Sequence, residues 1–378
     1  QQLEHPLEHD VSVNDTFRPV SRFFTRVTRP EQLLSVLPEA MRVLTDPAET
    51  GAVTIALPED VQTEAYDWPA EFFAERVWRV RRPEPEPELV AEVGRRLARA
   101  RRPLVVCGGG VIYSGASMEL AAFARRYGVP VVESQAGKGA LPWDHPSNVG
   151  AVGAAGGLAA NRLAATADLV IAIGTRLGDF VTASKTAFQD PAVEFVSINV
   201  VPADAGKLRS LPLVADAKRA LACLGAELAS AGWTGAPTGW RERVAALKAE
   251  WDGVVDDLRA GKGLAATRGG VDPGERLALA DAGVPADRLA QSEVIGIVND
   301  VVGGHATVVC AAGSMPGDLL KLWRPEDPKA YHLEYGYSCM GYEIPAGIGI
   351  KLAEPEREVV VMIGDGSYLM MNSEIVTA

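Results

Sequence analysis

Residues 359–378 read VVVMIGDGSYLMMNSEIVTA, an apolar run that ends abruptly on Gly364, Asp365 and Gly366. A short continuous apolar run before a helical pattern is typical of a buried parallel strand. Ligands of open parallel sheets bind beyond the carboxyl ends of the strands, and Asp365 would stand at such an end. The two glycines allow a sharp turn, and the N–H groups of Gly366 and Ser367 would begin the next helix, where anions are stabilised.

A carboxylate beside N–H groups that bind an anion is chemically reasonable when Mg²⁺ lies between them. The alternative is an ordinary strand-to-helix turn, in which Asp or Ser caps the helix and Gly relieves the backbone. A second turn, CAAGSMPGDL, follows another predicted strand and offers similar N–H groups at Gly313, Ser314 and Met315. Two such turns favour the ligand-binding interpretation.

The composition argues against several functional classes. The chain of 378 residues has a net charge of −12 and no basic block, so nucleic acid would find no counter-charge. No uninterrupted apolar run approaches about eighteen residues and the sequence does not start with a charged-then-apolar pattern, so we expect no membrane span or signal peptide. The four cysteines form no CxxC pair, which favours a reducing cytoplasm over a disulfide framework or a zinc site.

From Arg102 onward, short apolar runs alternate with helical stretches. This alternation predicts an α/β protein with a doubly wound parallel sheet. A glycine-rich turn, CGGGVIYSG, suggests a dinucleotide motif, but the position of its third glycine is occupied by Tyr113. The first residue is Gln1 and the final helical pattern has no cap, so we expect the chain to be part of a longer protein.

Between the two ligand-binding turns lies YGYSCMGYEIPAGIGIKLAEP. Its SCMGYEIPAGIGI, followed by a strand and GDGS, resembles the diphosphate-binding domain of thiamine-diphosphate enzymes of the acetolactate synthase type. The stretches RPLVVCGGG, GVPVVESQAGKGALPWDHPSNVGAVG and ADLVIAIGTRLGD resemble the central domain of that family, and QLEHP to VTIALPEDVQ the end of its pyrimidine-binding domain. The resemblance implies doubly wound parallel-sheet domains, of which the first and the last are incomplete.

The resemblance also implies a division of the chain into four parts. They are residues 1–75, the C-terminal part of the pyrimidine-binding domain; 76–233, a central Rossmann-like domain; 234–290, a helical linker; and 291–378, the N-terminal part of the diphosphate-binding domain.

Longer stretches are similar to one branch of the family, the trihydroxycyclohexane-1,2-dione hydrolases of bacterial myo-inositol breakdown. These stretches include QQLEHPLEHDVSVNDTFRPVSRFF, AAGSMPGDLLKLWR and YHLEYGYSCMGYEIPAGIGIKLAEP. The similarity implies hydrolysis of the carbon–carbon bond between the two carbonyls of a cyclic diketone, which gives 5-deoxyglucuronate. An acetolactate synthase-like carboligase or decarboxylase, and a non-catalytic nucleotide-binding or scaffold protein, stay open as alternatives.

The family's cofactors are thiamine diphosphate and Mg²⁺, and the resemblance implies roles for residues of this chain. Asp365 would ligate Mg²⁺, and Met340 would hold the cofactor in its bent conformation, unless Met340 serves only to pack the core. The backbone at Ser338 would contact the aminopyrimidine, although the family has Gly there. The implied cofactor-binding residues are Gly313, Ser314, Met315, Ser338, Met340, Gly364, Asp365, Gly366 and Ser367.

The resemblance assigns no catalytic residue to this chain, because the activating glutamate would precede Gln1. The second side-chain ligand of Mg²⁺, an Asn, would follow Ala378. Gln1, Gln2, His5 and Glu334 are predicted to contact a polyhydroxylated substrate; an exposed turn for the first three and a packed structural role for Glu334 are the alternatives. The family further implies a homodimer or tetramer with active sites between subunits.

Overall fold

The computed structural model describes residues 13–262, 289–334 and 336–378. The chain divides into two compact units, residues 1–83 and 84–378. Three of the predicted substrate residues, Gln1, Gln2 and His5, lie outside the described residues.

The first unit contains a two-stranded parallel sheet and one longer helix. Its elements are a 3-10 helix (Val13–Val20), β1 (Phe23–Arg26), a 3-10 helix (Pro30–Gln32), α1 (Leu33–Thr45), β2 (Val53–Ala56), α2 (Glu59–Gln62) and a 3-10 helix (Ala70–Phe73). Helix α1 buries Val36, Ala40 and Val43. These residues follow helical spacing and form the apolar face of α1.

The second unit begins with a sheet of six parallel strands. Its elements are α3 (Pro87–Arg99), β3 (Pro103–Cys107), α4 (Gly109–Tyr113), α5 (Ser117–Tyr127), β4 (Val131–Glu133), a 3-10 helix (Gln135–Gly137), β5 (Asn148–Ala151), α6 (Leu158–Thr166), β6 (Leu169–Ile173), α7 (Asp179–Thr182), β7 (Glu194–Asn199), α8 (Pro202–Ala205), a 3-10 helix (Lys207–Arg209), β8 (Leu211–Val214), α9 (Ala217–Ser230) and α10 (Thr238–Arg259). Every residue of β3 and β6 is buried. Because successive side chains point to opposite faces, helices and loops must cover both faces of the sheet.

The six strands lie in the order β5-β4-β3-β6-β7-β8, so the direction of strand addition reverses between β3 and β6. This is the strand order of doubly wound nucleotide-binding folds. At the reversal, the N–H of Gly110 donates to the carbonyl of Gly174 over 3.0 Å. A Cβ at Gly108 would stand 2.3 Å from the same carbonyl oxygen. Two of the glycines in CGGG are therefore needed for close backbone packing.

A second, three-stranded parallel sheet follows, with β9 between its two neighbours in the order β10-β9-β11. Its elements are α11 (Gln291–Val302), β9 (Thr307–Cys310), α12 (Met315–Leu322), β10 (Tyr331–Leu333), α13 (Glu343–Ala353), β11 (Val359–Val361), α14 (Asp365–Met371) and α15 (Glu374–Thr377). These parallel sheets with flanking helices confirm the predicted α/β class.

Polar contacts join the six-stranded and three-stranded sheets. The hydroxyl of Tyr331 donates to Oε1 of Gln135 over 2.8 Å, and the N–H of Trp143 donates to the carbonyl of Pro325 over 3.0 Å. Both sheets therefore belong to the same compact unit. The four-part division of the chain stays a prediction.

None of the helices in the described ranges is both long and apolar enough to cross a lipid bilayer.

We expect Gly108→Ala to destabilise the full-length protein by about 1–3 kcal/mol, because the new Cβ would overlap the backbone at Gly174. The matched control is Gly253→Ala in the exposed interior of α10, where nothing lies within 4 Å of the new methyl group. That control should gain up to about 1 kcal/mol, because Ala favours helix more than Gly. Denaturant unfolding measures both changes, and equal effects at the two positions would contradict the packing argument.

Candidate functional site

The candidate site lies at the carboxyl ends of β9, β10 and β11. Parallel pairing with β9 brings these three ends to one edge of the sheet. The edge therefore carries the turn after Cys310, the segment after Leu333 and the turn that includes Asp365. The two glycine turns predicted from the sequence share this edge, separated in sequence by two strands and two helices.

The Gly-Asp-Gly turn begins α14. Gly364 is in extended conformation before the helix, and Asp365 is its first residue. The Asp365 side chain is exposed, and its Oδ1 accepts the N–H of Gly366 over 2.8 Å. A Cβ at Gly364 would meet nothing within 4 Å. The carboxylate and the adjoining backbone are thus open to a ligand.

Met340 lies beside this turn. A Cβ placed on Gly366 would stand 3.3 Å from Cε of Met340. Met340 precedes α13 and is 46% exposed, so within the described chain it is not a core residue. Met340 and Gly366 are therefore neighbours although 26 positions separate them along the chain, and their contact with a cofactor stays a prediction.

The turn after β9 contains Gly313, Ser314 and Met315. Gly313 has a φ of +84°, a left-handed conformation that Gly adopts without strain. No atom lies within 4 Å of the position that its Cβ would take. Ser314 is exposed and precedes α12, whose first residue is Met315. The backbone of this turn is therefore accessible to a ligand, like that of the Gly-Asp-Gly turn.

Ser338 lies in the segment between β10 and α13 and has a φ of +52°. Left-handed backbone favours Gly, which gives a physical reason for the Gly that the family has at this position. Nearby, Oε2 of Glu334 accepts the N–H of Cys339 over 2.7 Å. Glu334, predicted to contact substrate, thus also holds the loop that carries Ser338.

Glu343, the first residue of α13, was not among the predicted site residues, and it is only 1% exposed. Its Oε1 and Oε2 both lie 2.8 Å from Oγ of Ser367. Oε2 also accepts the N–H of Gly341 over 3.0 Å, and Oε1 that of Ala312 over 3.4 Å. Its signal in the sequence is one acidic residue at the start of a helix rich in small and apolar residues, and this signal does not indicate Ser367 as the partner.

A second contact that was not predicted from the sequence joins β10 to the segment before α13. Nε2 of His332 lies 2.7 Å from the hydroxyl oxygen of Tyr342, and the two rings stack with centroids 5.9 Å apart. Burial lowers the pKa of His332. Burial also raises the pKa of Tyr342, and the negative charge of Glu334 adds to that shift. No sequence motif indicated this pair.

Comparison with known proteins identifies two domains. The model of the "Thiamine pyrophosphate enzyme, central domain" matches residues 90–224, and that of the "Thiamine pyrophosphate enzyme, C-terminal TPP binding domain" matches residues 311–378. The chain belongs to the thiamine pyrophosphate enzymes. The second match covers all three turns of the candidate site and confirms the predicted cofactor, thiamine diphosphate, which Mg²⁺ usually accompanies in this family.

The similar proteins include curated bacterial enzymes. A 3D-(3,5/4)-trihydroxycyclohexane-1,2-dione hydrolase from Bacillus cereus (strain ZK / E33L) is 45% identical over 382 residues, and one from Clostridium perfringens (strain 13 / Type A) is 43% identical over 379 residues. The alignments cover 100% of this chain but 58% and 59% of those two proteins. The chain thus spans less than two thirds of the length of these relatives.

The residues present fit a diphosphate and a cation. Open backbone at Gly313 and Gly364 allows phosphate oxygens a close approach, and the exposed Asp365 carboxylate is a hard oxygen ligand. Within the described ranges, no three His, Cys, Asp or Glu side chains are grouped to hold a metal ion. Mg²⁺ often takes one or two carboxylates and completes its shell with phosphate oxygens and water, so Asp365 beside a diphosphate suits it.

The buried environment of His332 predicts a pH effect. Its pKa is below the ordinary value of 6.5, so His332 is neutral in the folded protein at pH 7. As the pH falls below about 6.5, His332 is protonated in the unfolded chain before it is protonated in the folded protein, and this favours unfolding. The contribution of the neutral His332 to stability is therefore complete above that pH and decreases toward the pKa of His332 in the folded state. NMR titration of the His332 ring should give a midpoint below 6.5; a midpoint at or above 6.5 would contradict the assignment.

Proposed function

We propose that the full-length protein hydrolyses the carbon–carbon bond between the carbonyls of a trihydroxycyclohexane-1,2-dione, with thiamine diphosphate and Mg²⁺. The proposal rests on the identity of 43–45% that extends over the whole chain to relatives with this name. Alignment over the whole chain includes the segment from Glu334 to Tyr342, where the resemblance predicts substrate contacts. The product would be 5-deoxyglucuronate.

Roles for the residues follow from this proposal. Asp365 would ligate Mg²⁺, and the backbone at Gly313, Ser314, Met315, Gly364, Gly366 and Ser367 would surround the diphosphate. The Met340 side chain, beside Gly366, would support the bent cofactor, and the backbone at Ser338 would contact its aminopyrimidine. When bound, thiamine diphosphate supplies a nucleophilic carbon and an electron sink. Glu334 would fix the loop through Cys339 while its polar side chain faces the substrate's hydroxyl groups.

We extend the proposal to the oligomeric state of the protein and to its cellular compartment. In this family, a pyrimidine-binding domain provides residues to the active site. In an active site between subunits, the neighbouring subunit would provide these residues, so we propose a homodimer or tetramer. All four cysteines of the chain are unpaired thiols, in keeping with a reducing compartment, and we propose the cytoplasm.

We expect Asp365→Asn to weaken Mg²⁺-dependent binding of thiamine diphosphate by at least about tenfold, because the amide is a poorer ligand for Mg²⁺ than a carboxylate. The matched control is Asp179→Asn, since Asp179 is also an exposed first residue of a short helix that follows Gly. Calorimetric titration of the full-length proteins gives both affinities. An unchanged affinity in Asp365→Asn would remove Asp365 from the metal site.

The substrate is tested with the full-length protein, thiamine diphosphate and Mg²⁺, offering the cyclic dione and pyruvate separately. We expect acid release from the dione and no acetolactate from pyruvate. A site that hydrogen-bonds several hydroxyl groups rejects a substrate without them, because its buried polar groups would stay unpaired. Acetolactate formation without acid release from the dione would instead support an acetolactate synthase-like carboligase.

A further inference from the structure

A buried carboxylate lies directly behind the candidate site. Glu343 is 1% exposed, although carboxylates are almost never fully buried unless they are paired. In the part of the chain that the structure describes, its hydrogen-bond donors are the neutral groups of Ala312, Gly341 and Ser367. Such burial is costly without these bonds, so each of them matters for the position of the carboxylate.

The three donors come from three different segments of the site. Ala312 belongs to the turn after β9, Gly341 follows Met340 directly, and Ser367 closes the Gly-Asp-Gly-Ser turn. Each segment carries residues proposed to surround the cofactor. A single side chain therefore fixes the relative positions of all three segments.

The hydroxyl of Ser367 both donates and accepts hydrogen bonds within this network. It has one hydrogen, which faces the two Glu343 oxygens at 2.8 Å each. Its oxygen also accepts the N–H of Gly341 over 2.8 Å. In this arrangement the hydroxyl hydrogen is not directed to a diphosphate, and Ser367 can offer the diphosphate only its backbone N–H.

We infer that Glu343 and Ser367 form a positioning pair, which holds the cofactor-binding turns in place through Oγ of Ser367 and the N–H of Gly341. This inference rests on the proposed function, because it concerns the binding of thiamine diphosphate. Glu343 acts through other groups and does not touch the cofactor. The pair sets cofactor affinity by holding the site in its binding geometry before the cofactor arrives.

The first test is Glu343→Gln in the full-length protein. Gln has nearly the same shape, but its NH₂ group must replace one acceptor oxygen and would face an N–H donor of Ala312 or Gly341. We expect the Kd for thiamine diphosphate with Mg²⁺ to rise at least about tenfold, at a temperature where the variant is fully folded. Glu356→Gln, at an exposed glutamate in the turn before β11, is the matched control and should leave the Kd unchanged.

A control for general stability separates positioning from destabilisation. Trp240→Phe removes the buried hydrogen bond from Nε1 to the carbonyl of Pro103, far along the chain from the three segments. It should lower the melting temperature without changing the Kd. Should Trp240→Phe weaken binding as much as Glu343→Gln does for the same loss of melting temperature, the positioning role is wrong.

The second test combines Glu343→Gln with Ser367→Ala. If the two side chains act as one unit, the double variant should bind thiamine diphosphate no more weakly than the weaker single variant. If the losses of affinity in the two single variants multiply in the double variant, the Ser367 hydroxyl contacts the diphosphate independently of Glu343. This result would overturn the inference. Ser367→Ala leaves the carboxylate in place, so its effect on Kd and melting temperature also tests the pair if Glu343→Gln does not fold.

The outcomes distinguish the two levels of the argument. A wild-type protein that binds no thiamine diphosphate in the presence of Mg²⁺ contradicts the proposed function itself. A wild-type protein that binds it, with an unchanged Kd in both Glu343→Gln and Ser367→Ala, leaves the proposed function standing and overturns the positioning pair.

Discussion

The cofactor-binding edge of this chain depends on the burial of the Glu343 carboxylate. Removing a carboxylate from water is unfavourable, and here N–H and O–H donors from three segments offset that cost. The segments must therefore keep their relative positions for the carboxylate to stay satisfied. Gly341 adapts to this arrangement with a φ of +91°, and a Cβ there would stand 2.8 Å from Cγ of Met371. The geometry of the site thus depends on the motif glycines and on the buried carboxylate together.

A second buried polar layer connects this edge to the six-stranded sheet. Glu133 is 1% exposed and accepts hydrogen bonds from the Gly139 N–H and the Asn148 amide. Burial raises the pKa of Glu133 and lowers that of Lys138. The Lys138 ammonium group lies 5.8 Å from the centre of the Tyr331 ring, on β10. Since β10 is one of the three strands that end at the site, this layer holds the site against the central domain.

The parallel strands could be predicted because each is a short, continuous apolar run between helical patterns. Residues 359–361, for example, are recognisable as a strand from VVVMI alone, and the following Gly-Asp-Gly marks the turn. The family resemblance implies that Met340 supports the bent cofactor, which stays a prediction, and only the structure shows that Met340 lies next to Gly366. The strand order and the pairing of β3 with β6 could not be predicted in the same way, since they arise from contacts between distant segments.

The sequence by itself determined the α/β class, the glycine turns and the place of Asp365 after a strand, because hydrophobic periodicity and backbone freedom are local properties. Only the tertiary structure decided the partners of the buried polar groups. Ser367 and Glu343 are 24 residues apart, and Gln135 and Tyr331 are 196 apart. Neither pair has a sequence signal, because a buried donor must be matched to an acceptor wherever packing brings one within reach. In this chain that requirement, more than the motif, determines how the site is held together.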